Sequence, residues 1–180
     1  MRLAPMAHAA LGELAYESGK LQEARGHFDK AAVFWTEDLP DAASVEARCY
    51  QGLIDSLTGK VPVRGLVETS VEQASNMGRL YLEARCRLNL ARIHISARRY
   101  DDAIAALKDI PLEGERRIGP ELEAQVHYWR SRALAERRDR AAAESEAVLG
   151  RKLVLELQAS LPERYRSSFA SRAGIRQLFE

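Results

Sequence analysis

The chain has 180 residues and a formal charge of +1, from 27 basic and 26 acidic side chains. Five residue types (28 Ala, 22 Leu, 22 Arg, 18 Glu, 5 Lys) fill 95 positions, against 9 Val, 7 Ile and 3 Thr. The abundant types lose little rotamer freedom in a helix and strand builders are scarce, which argues against a sheet-based enzyme core. Near-neutrality gives no general pull toward nucleic acid, and no apolar run reaches the ~18 residues of a membrane span.

In chain order, the pattern predicts helices over 5–18, 21–37, 41–58, 63–77, 79–98, 100–109, 120–137 and 140–160. Pro40 marks the end of the second helix, and Asp41 is placed to cap the third. Gly19 and Gly59 stand where a left-handed residue closes a helix. Segment 110–120, IPLEGERRIGP, is the main loop. Beyond Pro162, Tyr165, Phe169, Ile175, Leu178 and Phe179 predict one or two short helices that cap the last hairpin.

The chain also repeats itself. Residues 11–31 align without a gap on 90–110, and Gly12, Gly52, Ala91 and Ser131 fall 40, 39 and 40 residues apart. A small residue there lets two helices of a hairpin approach closely. The following helix presents Leu21, Ala24, Phe28 and Ala31 as one apolar stripe. One such hairpin cannot bury both faces, so neighbours must stack.

On Leu11, Gly12, Gly19, Leu21, Ala24, Phe28 and Ala31, then Leu90, Ala91, Tyr100, Ala103 and Leu107, the chain resembles the tetratricopeptide repeat (TPR) family. Its long period is similar to that of arrays in multidomain bacterial regulators. HEAT-type repeats share a 40-residue period but not the G-x-L-x-x-A-x-x-x-F pattern. The second repeat departs through an extra residue near Pro62 and through Gly65 in place of Ala. The resemblance implies an all-α, right-handed solenoid of about four stacked hairpins with a C-terminal capping helix. The repeats run about 4–38, 41–78, 79–110 and 120–160, and 161–180 is the cap.

The first helix of each TPR hairpin lines a concave groove. That places Met6, Ala9, Glu13, Tyr16 and Glu17, then Glu46, Cys49, Leu53, Ser56 and Leu57, on the groove face. Arg85, Leu88, Asn89, Arg92 and Ile95 follow, then Gln125, Tyr128, Arg132 and Glu136. Glu13, Tyr16, Arg85, Asn89, Arg92, Tyr128 and Arg132 are the candidate partner-binding residues, and the arginines suit an acidic peptide. Their competing role is pairing with Glu83, Glu123 and Glu136.

No phosphate-loop, dinucleotide or zinc-protease motif is present. His8, His27, His94 and His127 stand apart in sequence, and Cys49 and Cys86 read as buried free thiols, compatible with a reducing cytoplasm. The basic run 130–140 reads as a solvated face. These features lead us to expect a non-enzymatic, cytoplasmic protein–protein interaction domain without metal or cofactor, and without nucleic-acid or membrane partners. A scaffold that self-associates through Leu3, Met6, Leu11 and Leu14 is the alternative.

Overall fold

The computed structural model describes residues 3–33, 41–60, 65–112 and 118–179. Its described residues form ten helices and no strand. The first eight are α1 (Leu3–Glu17), α2 (Leu21–Ala32), α3 (Ala42–Leu57), α4 (Leu66–Asn76), α5 (Leu80–Ser96), α6 (Tyr100–Lys108), α7 (Pro120–Glu136) and α8 (Arg140–Ser160). Two short helices, α9 (Glu163–Ser171) and α10 (Ala173–Arg176), close the described chain. The expected ends at Pro40 and near Pro62 lie outside the described residues. Gly65 does not occupy a helical position; it is the left-handed N-cap of α4.

Local chemistry sets several of these boundaries. The Asp41 carboxylate accepts from the amides of Ala43 and Ser44, satisfying first-turn donors of α3. Gly19 and Gly59 close α1 and α3 with positive φ, as expected. Arg98 and Arg138 take the same left-handed conformation after α5 and α7. The four closures fall 40, 39 and 40 residues apart, matching the spacing of the small anchors. Each carries the same backward hydrogen bond, such as Lys20 N to Ala15 O and Arg99 N to His94 O.

The glycine anchors act as their spacing predicts. A Cβ on Gly12 would lie 2.7 Å from the Phe28 ring, and one on Gly52 would collide with Val67. Ala24, Phe28 and Ala31 are fully buried. The Phe28 ring stacks 4.7 Å from that of Tyr50, joining the first hairpin to the second.

Consecutive helices pack from α1 through α8, and α1, α3, α5 and α7 also pack on one another in succession. Helices α2, α4 and α6 each rest against the two odd-numbered helices beside them. One face of the molecule is therefore built by the odd helices. The core runs beneath it as three clusters, the last formed by Ala124, Val154, Ile175 and Leu178.

Of the apolar residues in the tail, Ile175 and Leu178 are buried beside Ala124 of α7 and Val154 of α8. Helix α10 also reaches α1. Tyr165 and Phe179, expected among the apolar capping set, remain exposed.

Candidate functional site

On α5, Tyr81, Arg85, Asn89 and Arg92 recur at intervals of three or four residues, which aligns them on one helix face. Glu13 and Tyr16 meet them from α1, and Tyr50 from α3. With Glu121 and Gln125 of α7 and Arg172 beyond α9, these groups line a half-open chamber of about 540 Å³. Of the seven candidate residues, Glu13, Tyr16, Arg85, Asn89 and Arg92 line this chamber, while Tyr128 and Arg132 do not. Arg132 instead donates to the Tyr128 hydroxyl at 3.2 Å.

The groove face is also narrower than alignment suggests. Ala9, Cys49 and Leu53 are buried in the core rather than presented to a partner. The chamber is bounded by the C-terminal half of α1, by α5 from Tyr81 to Arg92 and by the first turns of α7. Tyr50, Tyr81, Glu121 and Arg172 join the site from positions that hairpin alignment does not single out. No short-range pattern marks them, since their convergence depends on where distant helices cross.

Arg85 sits at the centre of a polar cluster. It pairs with Glu13, donates Nη1 to Glu46 Oε1 at 3.1 Å and to the Tyr50 hydroxyl at 3.2 Å, and lies over the Tyr81 ring. Burial lowers its pKa to about 10, which still leaves it charged at neutral pH. Burial also pushes the Glu46 carboxyl up to about 7. Of the expected arginine partners Glu83, Glu123 and Glu136, two are engaged elsewhere: Glu83 takes Arg87, and Glu136 accepts from Tyr100. Helix crossing, not sequence proximity, selects Arg85's partners.

Arg92 has a different environment. Its guanidinium lies 5.6 Å from the Tyr16 ring centre and 4.9 Å from that of Trp129, and no carboxylate among the described residues pairs with it. Burial raises the Tyr16 pKa, and the neighbouring Arg92 charge opposes that rise.

The chain's own C-terminal segment covers this face. Arg172 makes a two-point contact with Glu121, at 2.7 and 3.0 Å, and approaches Glu17 at 3.9 Å. The Gly174 amide donates to Glu17 Oε2 at 3.1 Å, across 157 residues of sequence. Ile175 and Leu178 fill the apolar end of the same contact.

Two further expectations are corrected. Cys49 and Cys86 are not free thiols; they form a disulfide between α3 and α5, with Cα atoms 5.3 Å apart. Packing of alternate helices brings together two cysteines 37 residues apart, which spacing alone could not reveal. Such bonds persist mainly in oxidising surroundings, so the cysteines no longer support a reducing cytoplasm. Nor are all the histidines isolated, because His8 and His27 approach at 3.1 Å between Nδ1 atoms. His127 Nδ1 lies 2.6 Å from Glu146.

Among the described residues, no three His, Cys, Asp or Glu side chains gather as a metal site. The described helices include none long and apolar enough to cross a membrane. The basic run is largely engaged: Arg130 donates to the Leu107 carbonyl, and Arg137 pairs with Asp101.

No family model, curated protein or solved structure matches this chain. The chamber and its covering segment are the features from which a function can be argued.

Proposed function

We propose that the chain is a non-catalytic interaction domain that takes a helical peptide or protein segment on the face built by α1, α3, α5 and α7. In this reading the four hairpins form a right-handed, TPR-like solenoid. The observation that supports it most is the contact of residues 172–178 with α1 and α7, through Arg172, Gly174 and Ile175. The segment presents Arg172, Ile175 and Leu178 at steps of three, one cation followed by two aliphatic anchors. Glu17 and Glu121 receive the cation while Ala124 and Val154 receive the anchors. A basic, amphipathic partner fits this arrangement. The acidic partner suggested by the arginines fits it less well, because Arg85 is engaged by Glu13 and Glu46.

The test uses the whole chain with its tail released by Arg172→Glu and Ile175→Asp, titrated with a synthetic peptide of residues 161–179. Saturable, micromolar binding is expected, and adding Glu121→Lys should abolish it. A folded variant that does not bind the peptide contradicts the proposal.

Exposed Met6, Leu11 and Leu14 on α1 favour self-association as a second reading. Light scattering at high concentration distinguishes it, since a strictly monomeric protein would remove that reading.

A further inference from the structure

We propose that α9 and α10 form an autoinhibitory strap, which hinges at Leu161 and Pro162 and must lift from Glu17 and Glu121 before a basic helical partner docks. The strap rests on the helix-docking reading and adds regulation to it.

The near end of the strap is built to turn. Leu161 and Pro162 are extended, with ψ of 145° and 140°, and proline lacks the amide that would continue the ladder of α8. None of the nine residues of α9 is buried, and the helix packs chiefly on its neighbours α8 and α10. Arg166 reaches back only to the carbonyls of Ala159 and Leu161. Phe169, partly buried, rests against the cluster of Ala124, Val154, Ile175 and Leu178.

The grip lies at the far end. Arg172 holds Glu121 in an ion pair whose side chains are 38% and 37% exposed, and the Gly174 amide donates to Glu17. Ile175 is fully buried and Leu178 nearly so. Lifting the strap therefore gives up two aliphatic anchors, one well-solvated ion pair and one amide hydrogen bond. The two larger core clusters contain no residue beyond Ala133, so they survive the opening.

A closed strap excludes the partner on two counts. Glu17 and Glu121 are both occupied by the strap's own cation and amide. Ser168, Ser171 and Arg172 also wall one side of the chamber. A tether holds its ligand at an effective concentration on the order of millimolar. Against a micromolar dissociation constant, that leaves roughly 1% of molecules or fewer open and weakens an external ligand about 100-fold or more.

The test titrates a fluorescent peptide of residues 161–179 into three forms of the whole chain: wild type, Arg172→Gln, and Arg172→Glu with Ile175→Asp. The doubly substituted chain should bind about 100-fold more tightly than wild type, with Arg172→Gln between them. Hydrogen exchange is then followed in nitrogen-15-labelled wild type, so that only the chain's own Gly174 amide is seen. Saturating peptide should strip that amide of protection while the α5 amides keep theirs. Equal affinity of the three forms overturns the strap and leaves helix docking intact. So does a Gly174 amide that stays protected when wild type is saturated. Absence of binding to every folded form overturns helix docking, and the strap with it.

Discussion

Arg98 and Arg138 show how far a single backbone angle is set by its place in the repeat. Both hold positive φ, at 58° and 66°, where Gly19 and Gly59 close the corresponding earlier helices. A side chain in this conformation carries strain that glycine avoids. Both arginines are exposed, so little packing is lost on replacement. Arg98→Gly and Arg138→Gly should each raise stability by about 0.5–1 kcal/mol in urea unfolding, after the added freedom of the unfolded glycine is offset. The two glycine closures were legible from residue type; the two arginine closures were visible only as a position in the period. Glu46 provides a second test at this scale. Its carboxyl is raised from 4.5 to about 7 by burial, so the folded protein binds the proton more tightly than the unfolded chain. The resulting stabilisation is complete below about pH 4.5 and is lost as pH rises through 7. Glu46→Gln should remove that slope from a series of unfolding curves between pH 5 and 7.5. A slope unchanged by the substitution would contradict the assignment.

At the scale of helices, the link between α3 and α5 is covalent as well as packed. Closing a loop across 37 residues restricts the unfolded chain. Loss of that restriction should lower stability by about 3–4 kcal/mol. Urea unfolding with and without reductant measures the difference, and alkylation followed by intact mass shows whether the thiols are bonded. Free thiols in the native, unreduced protein would contradict the bond. Helix bounds were readable within a few residues because apolar periodicity, the Asp41 cap and the glycine closures are local signals. The cysteine pairing was not readable, since it depends on how the faces of α3 and α5 meet. Arg85 teaches the same lesson: local sequence offers it Glu83, but tertiary packing assigns Glu13 and Glu46.

For the whole molecule, the regular spacing of small residues foretold hairpin contacts, and Gly12 and Gly52 make them. Five of the seven candidate residues converge on one chamber. The pattern did not disclose that the C-terminal segment crosses the odd-helix face and returns to α1. Its apolar residues predict an attachment to the last hairpin, and Ile175 and Leu178 make that attachment. The decisive polar contacts, Arg172 to Glu121 and Gly174 to Glu17, span 51 and 157 residues and leave no local trace. Docking of this segment is the central claim, and hydrogen exchange at the Gly174 amide tests it most directly. The amide should be protected in the intact protein and lose that protection in Glu17→Ala, while the α5 amides stay protected. Exchange of wild-type Gly174 at the rate of an unstructured peptide would contradict the account.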